Sequence, residues 1–329
     1  MLFELLNKAR ALGASDLHLV SNKVPMVRLL GALQKIDDTV ITEQRLHDFL
    51  QQLLPGYLQQ RLAEYGEVDA SFTGDCGERC RLNVYQQNGA YALAIRLLAE
   101  AIPGCEALGL PESVQRLAEL KQGLVLAAGA TGSGKSTTLA ALVERINQTQ
   151  SVHILTLEDP IEYVYPQGKA LISQREIGCD TRSFASGLRS ALRQDPDVIL
   201  VGELRDAETM AIALTAAETG HLVLATLHTQ DVESSVSRIL DALPERQQQV
   251  RAQLAQSLQA VVCQKLLLRA DGAGRVAAFE VLIATDALRS LIREGKTHQL
   301  ASYVQTGARY GMVTMDDYVD ALRKQGVVD

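Results

Sequence analysis

Residues 129–138 read GATGSGKSTT. Gly129, Gly134, Lys135 and Ser136 satisfy the pattern GxxxxGK[ST]. The apolar run LVLAAGA stands just before it, and Lys135 to Gln148 carries a helical pattern just after it. A glycine-rich turn between a buried strand and a helix is suited to hold phosphate, because the glycines let backbone N–H groups turn inward and the helix adds its positive end. Lys135 can reach the β- and γ-phosphates, and the Ser136 hydroxyl can ligate Mg²⁺. The expected nucleotide-binding residues are Gly129, Ala130, Thr131, Gly132, Ser133, Gly134, Lys135, Ser136 and Thr137.

Outward from this loop, strand and helix alternate. HILTLED, DVILVGE and HLVLATLHT read as strands; RSFASGLRSAL and ETMAIALTAAETG read as helices. Continuous apolar strands separated by helices predict a parallel sheet covered on both faces, an α/β nucleotide-binding domain over 112–329. Upstream the rhythm differs. A helix is expected over 2–12 and helical patterns at 42–53 and 57–64, among short strands in DLHLV, VPMVRLLGAL, EVDASF, CRLNVYQQ and AYALAIRLL. That predicts a smaller α+β domain over 1–100. AIPGCEALGLP, residues 101–111, with two prolines and two glycines, is the expected linker.

Hydrolysis needs carboxylates at the strand ends where ligands collect in an open α/β sheet. DVILVGE ends in Glu203, suited to support Mg²⁺ directly or through water. LTLEDPIE offers Glu158, Asp159 and Glu162, any of which could orient an attacking water or simply cap a strand in solvent. His221 precedes the strand HLVLATL and His228 follows it, about 23 Å apart at strand rise, so they serve different places. His228, on the edge of Glu158 and Glu203, is the candidate for sensing a γ-phosphate, although a histidine taken alone sits more often on a solvent face or in a core. Arg79, Arg81 and Arg96 lie in the first half, and Arg189, Arg193 and Arg205 flank the strand of Glu203. In a ring such arginines can neutralise charge on a neighbour's nucleotide; on a monomer they are salt-bridged or solvated.

The 329 residues carry a formal charge of −7, are 47% hydrophobic and 22% charged, and include no Trp. This is a globular composition, and its acidity argues against non-specific nucleic-acid binding. Cys76, Cys80, Cys105, Cys179 and Cys263 are odd in number and lack metal-ligand spacing, which predicts reduced thiols in the cytoplasm. MLFELLNKARALGASD lacks the layout of a signal peptide, and no apolar run approaches the ~18 residues of a membrane span, so membrane contact is expected through partners only.

GATGSGKSTT, TLEDPIE, RQDPDVILVGELRD and TAAETGHLVLATLHT together resemble the Walker A, Asp, Walker B and His boxes of the secretion ATPase superfamily. ASDLHL and LRSLIREGKTHQLAS are similar to stretches of its PilT-type pilus retraction ATPases. The short chain favours that branch over the assembly and type II secretion ATPases, which add a long N-terminal region and usually a four-cysteine metal module. The resemblance implies a cytoplasmic homohexamer in which a PAS-like N-terminal domain precedes a RecA-like P-loop domain. It implies ATP and Mg²⁺ as cofactors and an inner-membrane pilus platform protein as partner. Residue by residue it implies phosphate and metal roles for Lys135 and Ser136, catalysis by Glu158, metal support by Glu203, and the two His-box positions at His221 and His228. Arg79, Arg81 and Arg96 match the region that offers arginines to nucleotide. The competing expectations are a secretion or DNA-uptake ATPase, a RecA-like DNA translocase, and a non-motor nucleotide switch.

Overall fold

The computed structural model describes residues 2–29, 31–75, 79–98, 101–272 and 274–329; Cys76 lies outside the described residues. The chain divides into two compact units. One is Met1–Ala101 with Pro160–Val164, the other Ile102–Asp159 with Tyr165–Asp329.

The first unit runs α1 (Leu2–Ala11), β1 (Asp16–Val20), β2 (Met26–Leu29), β3 (Ala32–Lys35), α2 (Glu43–Leu53), α3 (Gly56–Tyr65), β4 (Glu67–Thr73), β5 (Arg79–Gln87) and β6 (Ala90–Leu97). Its strands form one antiparallel sheet in the order β3-β2-β1-β6-β5-β4. Alternation sorts β1, β4 and β5. In β5, Cys80, Leu82 and Val84 are buried in a core shared with Leu5 and Leu6 of α1 and Leu46 and Leu50 of α2, while Arg81 and Asn83 point to the other face. The Thr42 hydroxyl starts α2 by accepting the Arg45 N–H. VPMVRLLGAL, expected as one strand, is instead a hairpin with Leu29 opposite Ala32, because Gly31 takes φ +88° and reverses the chain.

The second unit begins with a single turn, α4 (Glu112–Gln115). There follow β7 (Gly123–Ala128), α5 (Lys135–Thr149), β8 (His153–Glu158), β9 (Leu171–Glu176), α6 (Phe184–Ala191), β10 (Val198–Val201), α7 (Ala207–Glu218) and β11 (Leu222–Leu227). The unit ends with α8 (Val232–Asp241), α9 (Gln247–Ser257), β12 (Leu258–Leu268), β13 (Arg275–Ile283), α10 (Asp286–Arg293), α11 (Leu300–Thr306) and α12 (Met315–Lys324). The sheet order is β13-β12-β7-β11-β10-β8-β9, parallel throughout except for β13 at one edge.

The continuous apolar strands follow from burial on both faces. Along β7, Leu124, Leu126 and Ala128 enter a core with α7, α8 and α9, whereas Val125 and Ala127 enter a second core with Leu139, Leu142 and Val143 of α5. β9 was not expected as a strand. Its sequence LISQRE has neither a continuous apolar run nor an aromatic, and it forms because the edge of β8 offers a parallel ladder from His153–Leu171 to Glu158–Glu176.

Leu126→Ala should remove about 3 kcal/mol of stability, since the side chain is fully buried at mid-sheet. Urea unfolding followed by circular dichroism measures this; a loss below about 1 kcal/mol would contradict the packing described.

Candidate functional site

The loop leaves β7 at Ala128 and enters α5 at Lys135. Gly129, Gly132 and Gly134 have φ of +144°, +76° and +92°, a region side chains disfavour. Two of them are also short of space. A Cβ on Gly129 would lie 2.5 Å from the Gln264 carbonyl and 2.6 Å from Ser133 Oγ; one on Gly134 would lie 2.7 Å from Gln264 Nε2. The buried Gln264 of β12 thus lies against the loop at both glycines, and its Oε1 accepts the Thr138 hydroxyl at 2.7 Å from the first turn of α5.

Lys135 is 7% exposed, and its Nζ donates to the carbonyls of Gly129 at 2.8 Å and Ala130 at 2.9 Å. Its ammonium is therefore held inside the loop's curve. No side chain caps the start of α5. The buried Ser133 hydroxyl has no hydrogen-bond partner. Uncapped N–H groups at a helix start, a buried ammonium and a spare hydroxyl around a loop turned by three glycines fit a phosphate chain. The exposed Ser136 hydroxyl and the Glu203 carboxylate are hard oxygen donors of the kind Mg²⁺ takes.

Glu158 closes β8. Its Oε1 accepts from the Thr156 hydroxyl at 2.6 Å and from Gln174 Nε2 on β9 at 3.1 Å. Residues i and i+2 of a strand share a face, which brings Thr156 to Glu158. β10 lies in register beside β8, with Val201 opposite Leu157 and the Gly202 N–H donating to the Leu157 carbonyl at 2.8 Å. Glu203 therefore follows at the same sheet edge. Its Oε1 is 3.3 Å from His228 Nε2 and its Oε2 accepts Arg205 Nε at 2.6 Å. His228 Nδ1 in turn is 3.4 Å from the Thr131 hydroxyl of the loop. One chain of contacts thus runs from the phosphate loop through His228 to Glu203.

The segment after His228 is anchored. Asp231 caps α8 reciprocally with Ser234, and the Thr229 and Ser235 hydroxyls are 2.7 Å apart. Burial raises the Glu280 carboxyl of β13 above the usual range, the Val232 N–H opposes that rise, and nearby Asp231 adds to it. Burial likewise pushes the Cys263 thiol up strongly.

Other expected residues lie elsewhere. His221 stands before β11 at the opposite edge, its Nδ1 3.0 Å from the Ala216 carbonyl. Arg193, just past α6, is also on that edge, because the turn that follows it packs on His153 at the start of β8. Arg189 pairs with Glu208 at the start of α7. Arg79, Arg81 and Arg96 belong to the first unit. Arg79 donates to the Ser71 hydroxyl at 2.6 Å, Arg81 is 3.9 Å from Asp69, and Arg96 Nε donates to Asp16 at 3.1 Å. Arg81 and Arg96 are direct cross-strand neighbours. Asp159 is 3.8 Å from Arg205, whereas Glu162 falls in the segment of the first unit. Gln264, Thr138, Gln174 and Thr156 have roles that sequence reasoning did not assign. Only Thr156 carried a local signal, its two-residue spacing from Glu158.

Residues 87–316 match the model of the family described as type II/IV secretion system protein. The chain is 43% identical over 326 residues to the type IV pilus retraction ATPase PilT of Pseudomonas aeruginosa, covering 99% of this chain and 94% of that protein. The chain belongs to the type II/IV secretion system protein family. Within it, the chain is a PilT-type P-loop ATPase. It is also 50% identical over 304 residues to the Escherichia coli K12 protein YggR, covering 91% of each. A crystal structure of the pilus retraction motor PilT with bound ADP superposes with a TM-score of 0.93 at 45% identity, over 99% of this chain and 94% of that one. The RecA-like P-loop fold with a parallel-sheet core, expected from the sequence, is the fold of this family. Among the described residues no helix is long and apolar enough to cross a membrane.

Gln264→Leu would strip the Thr138 hydroxyl of its acceptor and free the loop beneath Gly134. Binding of a fluorescent ADP analogue should weaken by about tenfold. Thr138→Val should weaken it too, and the double variant should fall short of the sum. Independent, additive losses would argue that the two residues do not act as one unit.

Proposed function

We propose that the chain is a ring-forming motor that couples ATP hydrolysis to retraction of a type IV pilus. The observation that carries this reading is the convergence of the loop, Glu158, Glu203 and His228 on one sheet edge, in a chain similar over nearly its whole length to a retraction ATPase. In this reading residues Gly129 to Thr137 cradle the phosphates. Lys135 exchanges neutral carbonyl partners for anionic phosphate oxygens, so its charge is neutralised on binding. Ser136 and Glu203 would hold Mg²⁺, which when bound would supply charge neutralisation on the phosphate oxygens.

Glu158 is the general base that orients the attacking water, its Oε1 held in place by the Thr156 hydroxyl and Gln174 Nε2. His228 reports on the terminal phosphate, since it spans Thr131 and Glu203. Arg79, Arg81, Arg96, Arg189 and Arg193 are the pool from which a neighbouring subunit's nucleotide is neutralised. For Arg193, on the far sheet edge, only a neighbour's site is in question.

The same reading makes the protein a cytoplasmic homohexamer with a PAS-like first domain over 1–100, a linker over 101–111 and the motor domain over 112–329. It works on an inner-membrane platform protein and meets the membrane through that partner. The acidic net charge of −7 weighs against a nucleic-acid substrate.

ATPase rates of wild type, Lys135→Ala and Glu158→Gln, with mass by light scattering in ATP and Mg²⁺, test this. A hexamer is expected, with turnover lost at least about 100-fold in both variants and nucleotide still bound by Glu158→Gln. A monomer, or a rate indifferent to Glu158, would sink the motor reading.

A further inference from the structure

Both oxygens of the Glu203 carboxylate are engaged within the chain. Oε2 accepts Arg205 Nε at 2.6 Å, and Oε1 lies 3.3 Å from His228 Nε2. The two ends of the ion pair differ in freedom. Glu203 is 19% exposed and Arg205 is 60% exposed. The backbone around Arg205 is fixed. The Leu204 side chain is buried and its N–H donates to the Thr226 carbonyl at 3.0 Å; Asp206 caps α7 through Thr209; Arg238 donates to the Arg205 carbonyl at 3.3 Å. Only the long side chain of Arg205 is at liberty to leave Glu203. It also has a second carboxylate to turn to, because its Nη1 stands 3.8 Å from Asp159 Oδ2.

A guanidinium and a divalent cation seek the same carboxylate lone pairs and repel one another, so one oxygen does not serve both at bonding distance. We propose that Arg205 competes with a divalent cation for Glu203, and that this ion pair sets the Mg²⁺ concentration at which the site fills. The inference rests on the reading of Glu203 as the acid that supports the metal. It makes Arg205 a positioning residue acting through Glu203, with Asp159 as the alternative perch for its charge. His228 keeps the carboxylate aimed from the other oxygen whichever partner Oε2 has.

The test is an equilibrium titration without turnover. Mg²⁺ is titrated into the full chain with a fluorescent, non-hydrolysable ATP analogue, for wild type, Arg205→Gln, Arg205→Lys and Glu203→Gln. Arg205→Gln should lower the half-saturating Mg²⁺ about fivefold, the size an exposed ion pair allows, and leave analogue binding in EDTA unchanged. Arg205→Lys should lower it less, because the ammonium keeps the charge but loses the fork. Glu203→Gln should raise it. If Glu203→Gln raises the requirement while Arg205→Gln leaves it level or higher, competition is refuted and the metal role of Glu203 survives. If Glu203→Gln changes nothing, the metal role fails and the competition fails with it.

Discussion

Gly129 and Gly134 let the phosphate loop lie directly on β12. The Gln264 carbonyl is 2.5 Å from where a Cβ of Gly129 would be, and its side-chain amide is 2.7 Å from the corresponding point at Gly134. A side chain at Gly129 would push the loop off the β12 backbone, and one at Gly134 would displace the Gln264 amide and strain a backbone at φ +92°. With the loop seated, Lys135 at the start of α5 reaches back to two loop carbonyls, and Thr138 locks onto Gln264. The curve of the backbone, the aim of its N–H groups and the position of Thr131 beneath His228 all follow from that seating.

The elements carrying acids and histidines are arranged by the same sheet. Parallel strands in register deliver their C-terminal residues to one edge, so Glu158 at the end of β8, Glu203 after β10 and His228 after β11 share that edge with the loop after β7 by strand order alone. Each acid is held by named neighbours. Thr156 and Gln174 donate to Glu158, and Glu203 stands between Arg205 and His228.

Much of this was legible in the sequence because it depends on local rules. The glycine spacing announces the loop, the continuous apolar runs announce a doubly covered sheet, and strand direction alone separates His221 from His228. The residues that escaped reading act through tertiary neighbours. Gln264 is an amide in a strand more than a hundred positions from its partner Thr138, and Gln174 sits on β9, an edge strand whose polar sequence has no strand signature of its own. The hairpin of β2 and β3 was hidden by a run of apolar residues around Gly31, where a single positive φ outweighs the pattern. The cis partner of Arg205 escaped for a different reason. A side chain two positions beyond an acid can fold back onto it or extend away, and sequence spacing does not choose.

β11 runs between the two histidines. It is buried along its whole length, hydrogen-bonded on both sides, and carries an imidazole just beyond each end. At strand rise the two imidazoles stand about 23 Å apart on opposite edges of the sheet, so one bound nucleotide does not touch both, and a ligand met at His221 is a different one from the ligand met at His228.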